Sequence, residues 1–207
     1  MLPRRRLFLL LLACNVAWAG AEARPLRLAR EGQIGPGIAL FIPQDYDPAR
    51  TPSLAFASRP EITGPVASTW KLRPEFILEK GKAGATVRLP RGVSLYGTGE
   101  VTGPLLRNGK SITLWNTDNY AYHKDHGRRL YQSHPWVLGV RADGSAFGVL
   151  FDTTWKGELA TDSDKIVLTT AGGPFRVAVI DRESRSLSRR TTTRRRRRRW
   201  LSQARRK

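Results

Sequence analysis

The feature that most constrains this chain is a pair of alternating segments, 133–141 and 145–153, separated by Asp143-Gly144. Trp136, Leu138 and Val140 recur at every second position of the first, and Phe147, Val149 and Phe151 do so in the second. A period of two sends successive side chains to opposite faces of a strand. Asp-Gly tolerates the positive φ that a two-residue hairpin turn requires. One antiparallel hairpin is therefore expected here.

The pattern continues along the chain. Segments 165–170 and 175–180 read as a second hairpin around Ala171-Gly172-Gly173-Pro174, with Asp162-Ser163-Asp164 turning 157–161 into the first of those strands. Earlier candidates are 37–42, 53–57, 66–71, 75–80, 85–89, 95–97 and 111–115. No window carries a sustained helical stripe with caps. Many short strands separated by Gly, Pro and Asp turns predict an all-β fold, an antiparallel β-sandwich, over residues 20–180.

Charge has to be divided before it is interpreted. The 207 residues carry a net +19, yet 181–207 alone hold 13 basic and 2 acidic side chains, and Arg4, Arg5 and Arg6 add three more positive charges. Residues 20–180 keep 20 basic against 15 acidic side chains, an ordinary balance that names no partner. A segment of that size buries one core and is too short for an eight-stranded α/β barrel, which takes about 250 residues.

Residues 1–19 read as a signal peptide. Arg4–Arg6 are followed by an apolar stretch from Leu7 to Ala13, then by Ala17 and Ala19 in an A-x-A pattern ahead of Gly20. The stretch is far shorter than the roughly 20 residues of a spanning helix, so the expectation is export to the periplasm or the extracellular space, with no transmembrane helix. A second reading stays open, because Leu11-Leu12-Ala13-Cys14 resembles a lipoprotein box that would leave Cys14 lipidated. Cys14 is the only cysteine, so neither an intramolecular disulfide nor a thiolate zinc site can form.

The informative stretch is 94–154. It contains Leu95-Tyr96-Gly97-Thr98-Gly99-Glu100, Thr102-Gly103-Pro104-Leu105, Trp115-Asn116-Thr117-Asp118-Asn119-Tyr120, Leu130-Tyr131-Gln132-Ser133-His134-Pro135-Trp136 and Phe147-Gly148-Val149-Leu150-Phe151-Asp152-Thr153-Thr154. In this order the motifs resemble the N-terminal, galactose-mutarotase-like β-sandwich domain of glycoside hydrolase family 31, the α-glucosidases and α-xylosidases. The resemblance implies a domain that precedes a catalytic α/β barrel, whose two carboxylates do the chemistry of terminal α-glycosidic bond hydrolysis. Retaining hydrolysis needs two carboxyl groups about 5–5.5 Å apart. Glu100, Asp118, Asp125 and Asp152 match no catalytic motif of the family, so no catalytic residue is assigned and the chain is expected to show no turnover by itself.

What the resemblance implies for this segment is a loop over the barrel's pocket. Asp118 would accept hydrogen bonds from sugar hydroxyls, beside Asn116, while Trp115, Tyr120 and Tyr122 would offer ring faces to a sugar. The competing readings are that the aromatics belong to the sandwich core or an interdomain core, and that Asp118 bonds to its own backbone. The implied partners are an α-glucoside or α-xyloside and a catalytic barrel, in cis or in trans. Trp115, Tyr120, Tyr122, Leu130 and Tyr131 are expected to form an apolar face at which that barrel docks.

No cofactor is implied. Gly97-x-Gly99 lacks the third glycine and following helix of a phosphate loop. His123 and His126 read as loop side chains rather than metal ligands, and His134 as structural.

After 175–180 the family pattern breaks into an arginine-rich segment, including Arg194 to Arg199. It is read as out-of-frame translation of a GC-rich gene, which makes the chain a truncated product with a disordered basic tail at 181–207. The alternatives for this segment are a genuine binder of nucleic acid or an anionic surface and a merely solvated disordered tail; the alternative for the domain is a stand-alone carbohydrate-binding module.

Overall fold

The structure, a computed structural model, describes residues 23–56 and 60–181. The expectations for residues 1–19 and for the arginine-rich segment lie outside these, apart from Asp181, which ends the last strand. Among the described residues no helix is long and apolar enough to cross a membrane.

The strands are β1 (Arg24–Leu26), β2 (Leu28–Gly35), β3 (Ile38–Pro43), β4 (Pro74–Glu79), β5 (Lys82–Arg88), β6 (Ser94–Gly99), β7 (Lys110–Leu114), β8 (Ser133–Val140), β9 (Ala146–Asp152), β10 (Gly157–Thr161), β11 (Lys165–Thr170) and β12 (Arg176–Asp181). They form two six-stranded antiparallel sheets, β1-β4-β5-β11-β10-β7 and β2-β3-β12-β9-β8-β6. Phe41, Leu95, Val137, Phe147, Val149, Phe151, Val177 and Val179 of the second sheet meet Phe76, Val87, Leu159, Ile166 and Leu168 of the first in one dry core. This is the expected sandwich.

The hairpin β8–β9 pairs Val137 with Val149 and Val140 with Ala146. Its connection differs from the expected two-residue turn. Arg141 N–H donates to Ser145 O, Gly144 N–H donates to Arg141 O, and in the loop only Gly144 has positive φ, at 79°. That is a three-residue loop with the left-handed residue last. The Asp143 carboxylate accepts from Ser145 N–H and Oγ–H at 2.9 and 2.7 Å, and these bonds hold its pKa below the ordinary value. Trp136, Leu138 and Val140 do share a face, but the outer one: Val137 is the core residue. Both faces of β8 are apolar, so alternation alone leaves the inward set undetermined.

The second expected hairpin does not form. β11 already lies between β5 and β10, whereas β12 lies between β3 and β9 in the opposite sheet. With both neighbours of β11 occupied, the Gly-Gly-Pro segment carries the chain across the core instead of reversing it. The hairpin that does form is β10–β11, turned at 162–164. Segments 53–56 and 66–71 are not strands, and β1 and β2 escaped the periodicity because each buries a single residue and leaves the rest exposed or half-buried.

The end of β6 is fixed against β8. A Cβ on Gly97 would sit 2.7 Å from Trp136 O, and one on Gly99 would sit 2.5 Å from Gln132 O, so only glycine allows the two strands to approach there. Between them Thr98 takes φ 76° with a buried hydroxyl that has no hydrogen-bond partner among the described residues.

Candidate functional site

Two carboxylates define opposite kinds of environment. The first, Asp152, ends β9 and is completely buried. Its Oδ1 accepts from Leu54 N–H at 2.7 Å, Ala55 N–H at 3.3 Å and Ser53 Oγ–H at 3.0 Å. Its Oδ2 accepts from Ser53 Oγ–H at 2.8 Å and from Arg176 Nε–H at 2.6 Å. The Arg176 guanidinium lies over the rings of Phe56, at 4.9 Å, and Tyr46, at 5.6 Å. Burial pushes the Tyr46 phenol above its ordinary pKa, although the charge of Arg176 pulls the other way. Segment 53–56 is thus a lid of backbone donors on a buried ion pair, which explains why it is not a strand. Asp152 is fully committed and unavailable for catalysis.

The second lies in the loop that leaves the edge strand β7. Thr117 N–H donates to Leu130 O and closes the loop at its base. Asn119, 1% exposed, organises what lies above. Its Nδ2 donates to Lys124 O at 2.6 Å and Arg129 O at 3.0 Å, and its Oδ1 accepts from Lys124 N–H at 2.8 Å. Two short 3-10 turns follow, Tyr120–Tyr122 and Asp125–Gly127. Asp125 accepts from Arg129 Nε–H at 2.5 Å, and this bond holds its carboxyl below the usual range. Tyr122 rests on Gly127, where a Cβ would come within 3.1 Å of its ring.

On this scaffold the sequence-derived residues face outward. Trp115 is 49% exposed, Tyr120 80% and Tyr122 56%, so none belongs to the sandwich core. Asn116 and Asp118 are exposed as well. The Asp118 backbone carbonyl accepts from Lys124 Nζ–H at 2.8 Å, while no hydrogen bond to its carboxylate occurs among the described residues, which removes the reading in which it bonds to its own backbone. Leu130 is buried and so is lost from the expected apolar face, whereas Tyr131 is half exposed; Leu105 and Leu106 are exposed apolar side chains as well.

His123, His126 and His134 are all exposed, with His134 Nε2 3.1 Å from Gln132 Oε1. Among the described residues no group of three or more His, Cys, Asp or Glu side chains is placed to hold a metal ion. Sequence reasoning missed Asn119 and the Asp125–Arg129 pair. The signal for Asn119 was present in its place after Asp118 in a polar loop, since its short side-chain amide offers both donors and an acceptor to bridge nearby backbone groups.

Two antiparallel sheets with an edge-strand loop presented at one margin make a β-sandwich domain. Residues 55–159 match the family model of the glycosyl hydrolase 31 N-terminal galactose mutarotase-like domain. The chain belongs to that family. It is 45% identical over 80 residues to alpha-glucosidase 2 of Bacillus thermoamyloliquefaciens, covering 38% of this chain and 10% of that protein. It is 35% identical over 116 residues to an alpha-glucosidase of Hordeum vulgare, covering 50% of this chain and 13% of that one. A solved family 31 alpha-glucosidase from Bacteroides thetaiotaomicron is 64% identical over 51% of this chain and 18% of its own, with a TM-score of 0.46. The chain spans about a tenth of the length of the curated relatives it matches.

Proposed function

We propose that this chain is the pocket-supporting N-terminal domain of an exported α-glycosidase, and that its 115–122 loop supplies sugar contacts to a catalytic barrel that carries out hydrolysis. The observation that carries this reading is the exposed Asp118 carboxylate, without an internal partner among the described residues, on a loop whose backbone is locked by Asn119. A rigid mount and a free acceptor suit recognition of sugar hydroxyls, since little order has to be gained on binding. Trp115, Tyr120 and Tyr122 supply ring faces beside it.

The chain by itself is expected to leave aryl α-glucosides and α-xylosides intact, for want of a carboxylate pair. Joined to a family 31 barrel, Asp118→Ala is expected to raise KM several-fold with kcat nearly unchanged, because a contact made equally in ground and transition states changes binding more than chemistry. A fall in kcat at constant KM would overturn the assignment, and no change in either would make the loop purely structural.

A further inference from the structure

Beside the loop, and lined by none of Trp115, Asn116, Asp118, Tyr120 or Tyr122, is a cavity of about 600 Å³ between the edge of β7, the 101–107 segment and the Asp125–Gly127 turn. Its size falls within the range of small-molecule sites, about 300–1,000 Å³. We propose that it binds a small acidic sugar, a polyhydroxylated ring bearing one carboxylate or phosphate.

The lining is mixed and carries surplus positive charge. Arg107, Lys110, Arg128 and Arg129 line it together with Asp125 and Glu158. Asp125 is already neutralised by Arg129. Arg128 spends its Nε–H on the Asp125 backbone carbonyl, and its terminal nitrogens make no ion pair among the described residues; the same holds for Lys110. Arg107 is buried and its guanidinium meets only the carbonyls of Gly97 and Pro104, so its positive charge is not cancelled by a carboxylate. A concave surface with surplus positive charge and low-dielectric walls concentrates anions.

The strand residues of the lining add hydrogen-bonding groups. Glu158 of β10 stands in register with Thr113 of β7, and Ser111 lies two residues back on the same strand face. A carboxylate and two hydroxyls are hydrogen-bond partners for sugar hydroxyls, and a carboxylate there repels a ligand that is anionic throughout. No aromatic side chain lines the cavity, so it lacks the ring platform that would hold a neutral hexose by stacking. One anionic group for the basic side chains, with hydroxyls for Glu158, Thr113 and Ser111, matches this lining.

The test is titration of the full chain, by nuclear magnetic resonance or calorimetry, with glucuronate, glucose 6-phosphate, glucose and inorganic phosphate, at low salt and again at high salt. Glucuronate or glucose 6-phosphate is expected to bind at millimolar concentration or better, with glucose and inorganic phosphate each weaker, and with affinity falling as salt rises. The tighter of the two acidic sugars identifies the anionic group. Arg128→Gln and Lys110→Gln, both at exposed positions that leave the fold intact, are each expected to weaken binding about fivefold or more, while Asp118→Ala leaves it unchanged. Glucose binding as tightly as the acidic sugars, phosphate binding as tightly as the sugar phosphate, indifference to both substitutions, or no binding of either acidic sugar would overturn the proposal.

Discussion

Asp152 and Asp118 are both aspartates in motifs that resemble the same family, yet they sit at opposite extremes of environment. Asp152 is withdrawn from water and every lone pair it offers is met by Ser53, Leu54, Ala55 or Arg176. Asp118 is exposed and its carboxylate meets nothing among the described residues. Burial makes the first indispensable to folding and useless for recognition. Exposure makes the second dispensable to folding and available to a ligand. A recurrent motif therefore carries no single meaning, and the surroundings of its acid decide which role it has.

Removing the two side chains should separate these roles. Asp152→Ala strands Arg176 as a buried, unpaired cation and is expected to cost about 3–5 kcal/mol, whereas Asp118→Ala is expected to stay within about 0.5 kcal/mol. Urea unfolding of both variants measures the gap. Equal losses would dissolve the contrast between them.

A smaller effect is expected from the loop's internal anchor. Asn119→Ala leaves Lys124 N–H and two carbonyls without their partner and should destabilise the loop by about 1–3 kcal/mol, with the sandwich core unaffected. Faster hydrogen exchange at the Lys124 amide, with unchanged exchange in β9 and β12, is the expected readout. Unchanged protection at Lys124 would mean that the loop is held by its turns alone.

The smallest effect concerns pH. The folded-state pKa of Asp125 lies below its ordinary value of 3.8 because of the Arg129 hydrogen bond. Near that value the unfolded chain binds more protons than the folded one, so the contribution is present above about pH 4 and lost as pH falls through the folded-state pKa. The stability difference between the native chain and Asp125→Asn should accordingly be constant in neutral solution and close in acid. A difference that widens in acid would have the wrong sign.

Much of the sandwich was legible because the period of two in β8 and β9, and the Gly, Pro and Asp turns between the other short segments, are local properties. Which strands become neighbours is not local. The pairing of β12 with β3 rather than β11 depends on edges already taken elsewhere, and nothing in Lys165–Thr170 or Arg176–Asp181 records that. At the loop, the residue types that resemble sugar contacts could be named from their order, whereas Asn119 was passed over because an amide's value lies in the groups that surround it. Segment 53–56 misled for a related reason: Leu54 and Phe56 alternate as a strand would, but the backbone N–H groups of Leu54 and Ala55 go to a carboxylate nearly a hundred residues away.

The placement of β12 also sets a timetable for synthesis. The first sheet needs nothing beyond β11, but the second exists as two separate pieces, β2-β3 and β9-β8-β6, until β12 enters between them. Ile38 must wait for Ile180 to leave the ribosome before its row of backbone groups is paired. Throughout that interval two open ladder edges face each other across a gap the width of one strand, and such edges invite pairing with the wrong chain. A nascent polypeptide stopped a few residues short of β12 would hold one finished sheet and one split sheet, so emergence of β12 is the step that joins the two halves of the second sheet.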